Sequence, residues 1–138
     1  MTILKAFLIF LLQLIQMVLP DLGGGHETRI PAQVYSEKDL QGYWIQSFED
    51  DYANVRVYRL SGYDFPPARG RNKMNLKTGG RLEYTPIAPD DRPVTYKGDW
   101  RLDDSLLIIR YYKDRRSKIR SFRILGREGA MLKVKGND

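Results

Sequence analysis

The sequence contains no cysteine and only one histidine, His26, among its 138 residues. Without cysteine the chain forms no disulfide, so oxidising conditions add nothing to its stability. The same scarcity excludes Ser-His-Asp and Cys-His catalytic machinery, since the lone histidine lies in an irregular polar segment. It also excludes metal sites built from nitrogen and sulfur ligands. We therefore predict a protein that is not an enzyme and holds neither a metal nor a cofactor.

Carboxylate side chains are the remaining candidates for catalysis or calcium binding, and the sequence contains three pairs of consecutive aspartates. All three fall in predicted turns, where aspartate is favoured because its side chain bonds the nearby backbone. No glycine-rich loop of the phosphate-binding kind precedes a helix. We interpret the pairs as turn residues: Asp50 and Asp51, Asp90 and Asp91, Asp103 and Asp104.

Positive charge is abundant but unevenly distributed. The formal net charge is +6, and the length suits one domain with a sizeable core. Residues 26–91 carry 9 basic and 10 acidic side chains, whereas residues 92–138 carry 13 basic and 6 acidic. The excess in the second half favours anionic partners.

The first 25 residues have the pattern of a signal peptide that forms a helix. Lys5 precedes an apolar run over residues 6–19, and Gly23 and Gly25 place small residues where a signal peptidase cleaves. The run is shorter than the ~20 apolar residues of a membrane-spanning helix. The pattern predicts cleavage after Gly25 and a secreted or periplasmic protein.

The alternative is an uncleaved leader that anchors the protein in a membrane through residues 1–20. Residues 26–39 are predicted to be a lead-in that ends in a short helical turn, which Ser36 and Asp39 cap. Residues 40–138 are predicted to form a β-barrel.

Beyond the leader, no stretch has a sustained helical period, and short alternating segments are separated by turn residues. The clearest hairpin surrounds residues 78–80, whose glycines permit positive φ, and pairs Lys77 with Arg81. That register places four apolar residues on one face: Met74, Leu76, Leu82 and Tyr84.

Eight such strands follow one another in simple succession. They predict an all-β, eight-stranded antiparallel up-and-down barrel, an arrangement that leaves no exposed edge. Residues 61–70, rich in glycine and proline, are predicted to be a loop at the barrel mouth.

The capped turn followed by Gly42, Tyr43 and Trp44 resembles the opening of lipocalin-like proteins, the calycins. A second Gly-x-Trp at Gly98 and Trp100 is similar to that of short bacterial members, and the resemblance spans roughly residues 36–135. The second and third lipocalin motifs are not recognisable, and no helix outside the barrel is predicted. The family often carries a basic side chain across the first indole, and three residues compete for that role: Arg110, Arg120 and Arg123.

The resemblance implies a protein that binds a small hydrophobic or amphipathic ligand inside its barrel. The side chains predicted to face inward suit either a ligand cavity or a solid core. The candidate pocket residues are Trp44, Phe48, Met74, Leu76, Leu82, Tyr84, Tyr96 and Trp100.

The alternative function is an envelope interaction or inhibitor module with a filled barrel. Its basic surface would contact an anionic headgroup, an acidic polysaccharide or an acidic protein, or would simply be solvated. No nucleic acid is expected, because the leader directs the chain out of the cytoplasm. The candidate basic surface comprises Arg69, Arg71, Lys73, Arg115, Arg116, Lys118 and Arg120.

Overall fold

A computed structural model describes residues 33–136. The predicted signal peptide and the first part of the predicted lead-in lie outside the described residues. The helix α1 spans Glu37–Leu40, and the strands are β1 Gly42–Gln46, β2 Val55–Leu60, β3 Lys73–Leu76, β4 Arg81–Thr85, β5 Tyr96–Asp103, β6 Leu106–Lys113, β7 Arg116–Glu128 and β8 Met131–Gly136. Single 3-10 turns occupy Phe48–Asp50 and Thr78–Gly80. None of the helices in this part of the chain is long and apolar enough to cross a membrane.

The eight strands close into an antiparallel barrel, as the alternating segments predicted. Around the ring the order is β1, β2, β8, β7, β6, β5, β4, β3, and β3 pairs with β1 to complete it. Strands β3 to β8 follow one another as a meander. The prediction of a wholly up-and-down barrel is wrong at one place, because β1 lies between β2 and β3.

A long crossover over residues 61–72 connects β2 to β3, the two strands on either side of β1. The Ser61 amide donates to the Tyr43 carbonyl (3.0 Å) near the start of β1, and the Gln46 amide at its end donates to the Asn72 carbonyl (2.9 Å). Strands β2 and β3 both run antiparallel to β1, so they are parallel to each other and need such a crossover. The loop therefore spans the length of β1, and its predicted confinement to the barrel mouth is wrong.

One end of the barrel, which we call the closed end, is covered by α1. The Asp39 carboxylate accepts hydrogen bonds from the Ser36 amide (2.8 Å) and hydroxyl (2.9 Å), as the predicted capped turn requires. Leu40 is fully buried, and its carbonyl accepts a hydrogen bond from the Trp44 indole at 2.8 Å. The tryptophan of the first Gly-x-Trp thus holds the capped turn against the closed end of the barrel.

The second Gly-x-Trp has a similar role on β5. The Trp100 indole is buried and donates to the Lys77 carbonyl at 2.9 Å. Gly98 permits β5 and β6 to approach, because a Cβ atom there would lie 1.8 Å from the Arg110 carbonyl oxygen.

A β-bulge in β7 changes which arginine reaches the Trp44 indole. The pairing with β8 shifts between Ile124 and Gly126, which leaves Leu125 half exposed. The shift reverses the alternation, so that Arg127 pairs with the buried Leu132 and lies 5.9 Å from the Trp44 ring centroid. The predicted candidates for this position, Arg110, Arg120 and Arg123, are therefore wrong.

Candidate functional site: the open basic end

The barrel interior is filled by its own side chains. A ligand-sized cavity would leave solvent-accessible area on the side chains that line it, whereas a filled core buries them fully. Six of the candidate pocket residues are at most 3% exposed: Trp44, Met74, Leu76, Leu82, Tyr84 and Trp100.

The other two candidates lie elsewhere. Phe48 is 41% exposed in a 3-10 turn, because β1 ends at Gln46 and the alternation stops there. Its predicted inward position is wrong, and the ring packs against the Arg71 guanidinium at 4.5 Å. Tyr96 is half-buried at the start of β5, opposite Tyr84.

Tyrosines line the barrel end opposite α1. The rings of Tyr84 and Tyr111 are 4.8 Å apart, and those of Tyr96 and Tyr111 are 5.6 Å apart. Burial raises the pKa of the Tyr111 phenol, and it raises the pKa of the more deeply buried Tyr58 strongly. These hydroxyls therefore stay neutral near pH 7 and can both donate and accept hydrogen bonds.

The hairpin of β6 and β7 adds four cations above these rings. Ile109, a core residue, pairs with Arg120, so alternate residues of the hairpin beyond it share the interior-facing side. Lys118 lies opposite Tyr111 on that side, and the Arg120 guanidinium donates to the Tyr84 hydroxyl at 3.0 Å. We call this set, with its tyrosines, the basic mouth: Lys113, Arg116, Lys118 and Arg120, with Tyr84, Tyr96 and Tyr111.

Acidic side chains do little to neutralise the four cations of the basic mouth. All four are exposed, and none joins any of the five ion pairs formed among the described residues. Asp114, at the hairpin tip, lines a cleft of about 440 Å³ together with Lys113, Arg116 and Lys118. A second cleft of about 430 Å³ lies between Tyr96, Lys113 and the loop of residues 86–94. The open end is therefore positively charged and accessible.

Arg71 does not belong to the accessible basic surface, and its predicted place there is wrong. It is 8% exposed, and its guanidinium binds the Glu49 carboxylate at 2.5 and 2.8 Å. It also donates to the carbonyls of Gln46 (3.1 Å) and Pro66 (2.7 Å). The hydrogen bonds that Arg71 donates to Glu49 lower the pKa of the Glu49 carboxyl, and the same interaction raises the pKa of the Arg71 guanidinium. Arg71 thus ties the crossover to β1.

The remaining predicted basic residues separate into two groups. Arg69 is exposed 3.9 Å from Asp91, and Lys73 is half-buried on β3, opposite Ile45. Arg115 occupies the tip of the β6–β7 hairpin, beside the three basic residues of β7 that the mouth brings together. Sequence reasoning noted Tyr111 beside this basic cluster but missed Lys113, which the two-residue turn at Asp114 could have placed on the same face.

Within residues 33–136 no cluster of three or more histidine, cysteine, aspartate or glutamate side chains could hold a metal ion. No family model matches the chain, and neither a curated protein nor a solved structure matches it.

Proposed function

We propose that the protein is a non-catalytic interaction module that binds an acidic partner through the basic mouth. The observation that carries this proposal is the row of exposed cations, Lys113, Arg116, Lys118 and Arg120, on one face of a hairpin above the tyrosine rings. Arginine and lysine bind carboxylates through charge-assisted hydrogen bonds, and the phenols offer further donors. The filled barrel is the rigid support that presents them.

The finer parts of the proposal concern family and location. The capped turn, the two buried indoles and Arg127 beside Trp44 support a lipocalin-like barrel, although the position of β1 departs from a simple meander. The signal-like pattern of residues 1–25 supports secretion or a periplasmic location.

The other candidate function is the binding of a small hydrophobic or amphipathic ligand among the predicted pocket residues. Such a ligand would require Trp44, Met74 and Trp100 to separate, since they are 0%, 0% and 3% exposed. Opening a packed core forfeits its dispersion contacts and buried area. We therefore favour partner binding at the basic mouth over ligand binding inside the barrel.

Labelled poly-L-glutamate, titrated at low ionic strength, tests the proposal. Replacing Lys118 and Arg120 by glutamate should weaken binding at least about tenfold, because like charges then face the probe. The matched control replaces Lys97 and Arg101, exposed on the outer face of β5, by glutamate and so makes the same change in net charge. Equal losses in both variants, or no binding by the parent protein, would contradict the proposal. Added salt should weaken binding by the parent protein.

A further inference from the structure

Strand β7 is longer than the strands beside it, which leaves part of its backbone unpaired. Its 13 residues pair with β6 from Arg116 to Arg123, but with β8 only from Phe122 onward. Residues 116–121 thus have a neighbour on one side and, among the described residues, none on the other. We call this segment the free edge.

The turn identifies which backbone groups the free edge exposes. Asp114 and Arg115 both have positive φ (52° and 64°) and connect Lys113 directly to Arg116, as in a type I′ hairpin. The residues flanking such a turn bond each other, so the backbone groups of Arg116, and of every second residue after it, point to β6. The amide and carbonyl groups that face away from β6, and that no other described strand pairs with, therefore belong to Ser117, Ile119 and Ser121.

The side chains of the free edge differ between its two faces. Arg116, Lys118 and Arg120 face the basic mouth, whereas Ile119 is 67% exposed on the outer face, close to Tyr112, which is 52% exposed. A second copy paired antiparallel along this edge would set cations opposite cations, which is unfavourable. An acidic strand would instead place carboxylates opposite them.

We propose that the acidic partner docks as an extended segment that pairs antiparallel with the free edge of β7 and continues the sheet. Acidic residues of that segment lie over the basic mouth, and the apolar residues between them contact Ile119 and Tyr112 on the outer face. Strand addition of this kind draws its affinity from main-chain hydrogen bonds and its selectivity from alternate side chains. This inference rests on the proposed function, which specifies an acidic partner but no mode of binding.

A peptide of alternating glutamate and valine tests the inference on the unaltered protein. In the proposed pairing valines lie opposite Ser117, Ile119 and Ser121 and exchange hydrogen bonds with them, whereas glutamate amides point away. Methylating the valine nitrogens should therefore weaken binding at least about tenfold, while methylating the glutamate nitrogens should change it less than about twofold. Equal effects of the two methylations would overturn the inference.

Variants at Ile119 test the same edge from the protein side. Ile119→Pro removes one exposed donor and no β6 hydrogen bond, and Ile119→Thr keeps the donor and the branched shape. We expect Ile119→Pro to lose the peptide while retaining poly-L-glutamate, and Ile119→Thr to retain both; thermal unfolding checks that both variants fold.

Three results distinguish a failure of this inference from a failure of the proposed function. Peptide binding unchanged in Ile119→Pro overturns strand addition but leaves charge recognition standing. A parent protein that binds neither peptide nor poly-L-glutamate overturns both proposals. A dimer that Ile119→Pro abolishes assigns the edge to a second copy and overturns the inference.

Discussion

Gly98 illustrates how a single missing Cβ atom determines whether two strands can pair. Alanine at this position would place its methyl group 1.8 Å from the backbone oxygen of Arg110, which cannot move without parting β5 from β6. We expect Gly98→Ala to lower the free energy of unfolding by about 3 kcal/mol or more, measured by urea denaturation. Gly62→Ala is the control, since no atom lies within 4 Å of its added methyl. Similar midpoints for the two variants would contradict this explanation.

Arg127 covers the Trp44 ring, and its buried Nε atom has no hydrogen-bond partner among the described residues. An unpaired buried donor is costly, whereas the aliphatic stem packs favourably. We expect Arg127→Met to keep the free energy of unfolding within about 1 kcal/mol of the parent or to raise it, and Arg127→Ala to lower it by about 1–2 kcal/mol. Denaturation followed by tryptophan fluorescence measures both, and a larger loss for methionine would show that the charge is needed.

At the level of residues, alternation predicted the interior where strands are regular. It placed Trp44, Trp100 and the apolar face of the β3–β4 hairpin correctly, because each lies within an unbroken strand. It failed for Phe48, just beyond the end of β1, and for the arginine beside Trp44, which depends on a bulge. Arg71 was misplaced because its partner Glu49 lies distant in sequence and is brought near only by the crossover.

Among the structural elements, the β6–β7 hairpin depends on a turn whose second residue is poorly suited to it. Both Asp114 and Arg115 adopt positive φ, which aspartate tolerates but which costs a residue such as arginine about 1–2 kcal/mol. Arg115→Gly should therefore raise the free energy of unfolding by about 1 kcal/mol without changing the denaturant slope. Arg115→Val, which is branched at Cβ, should lower it. The opposite order would contradict the turn geometry.

The sequence predicted local pairing better than long-range pairing. The β3–β4 register is confirmed, with Met74 opposite Tyr84 and Leu76 opposite Leu82, because the glycines at positions 79 and 80 both take positive φ. The place of β1 between β2 and β3 could not be predicted, since the crossover sequence fixes no partner for either strand. The free edge of β7 was also unforeseen, because it depends on where β8 ends its pairing.

The molecule as a whole should be sensitive to acid. Hydrogen bonds from Arg71, from Lys77 and from Ser47 with Arg59 lower the pKa values of Glu49, Glu83 and Asp50 respectively. A carboxylate with a lowered pKa in the folded state contributes stability above its unfolded pKa, about 4 to 4.5, and that stability is lost as pH falls through the folded value. The melting temperature should therefore fall below about pH 4.5, and Glu49→Gln should make the fall shallower. An unchanged slope in that variant would exclude Glu49 as a contributor.

The pairing of β2 with β8 has a consequence for how the protein is made. On the ribosome, the meander from β3 onward can assemble strand by strand as it emerges, and β1 can join β3 early. Strand β2, although synthesised second, has no pairing partner along one side until the segment Met131–Gly136 has been synthesised. The nascent chain thus carries an unprotected strand through most of its synthesis, which makes it a candidate client for chaperones until the ring closes.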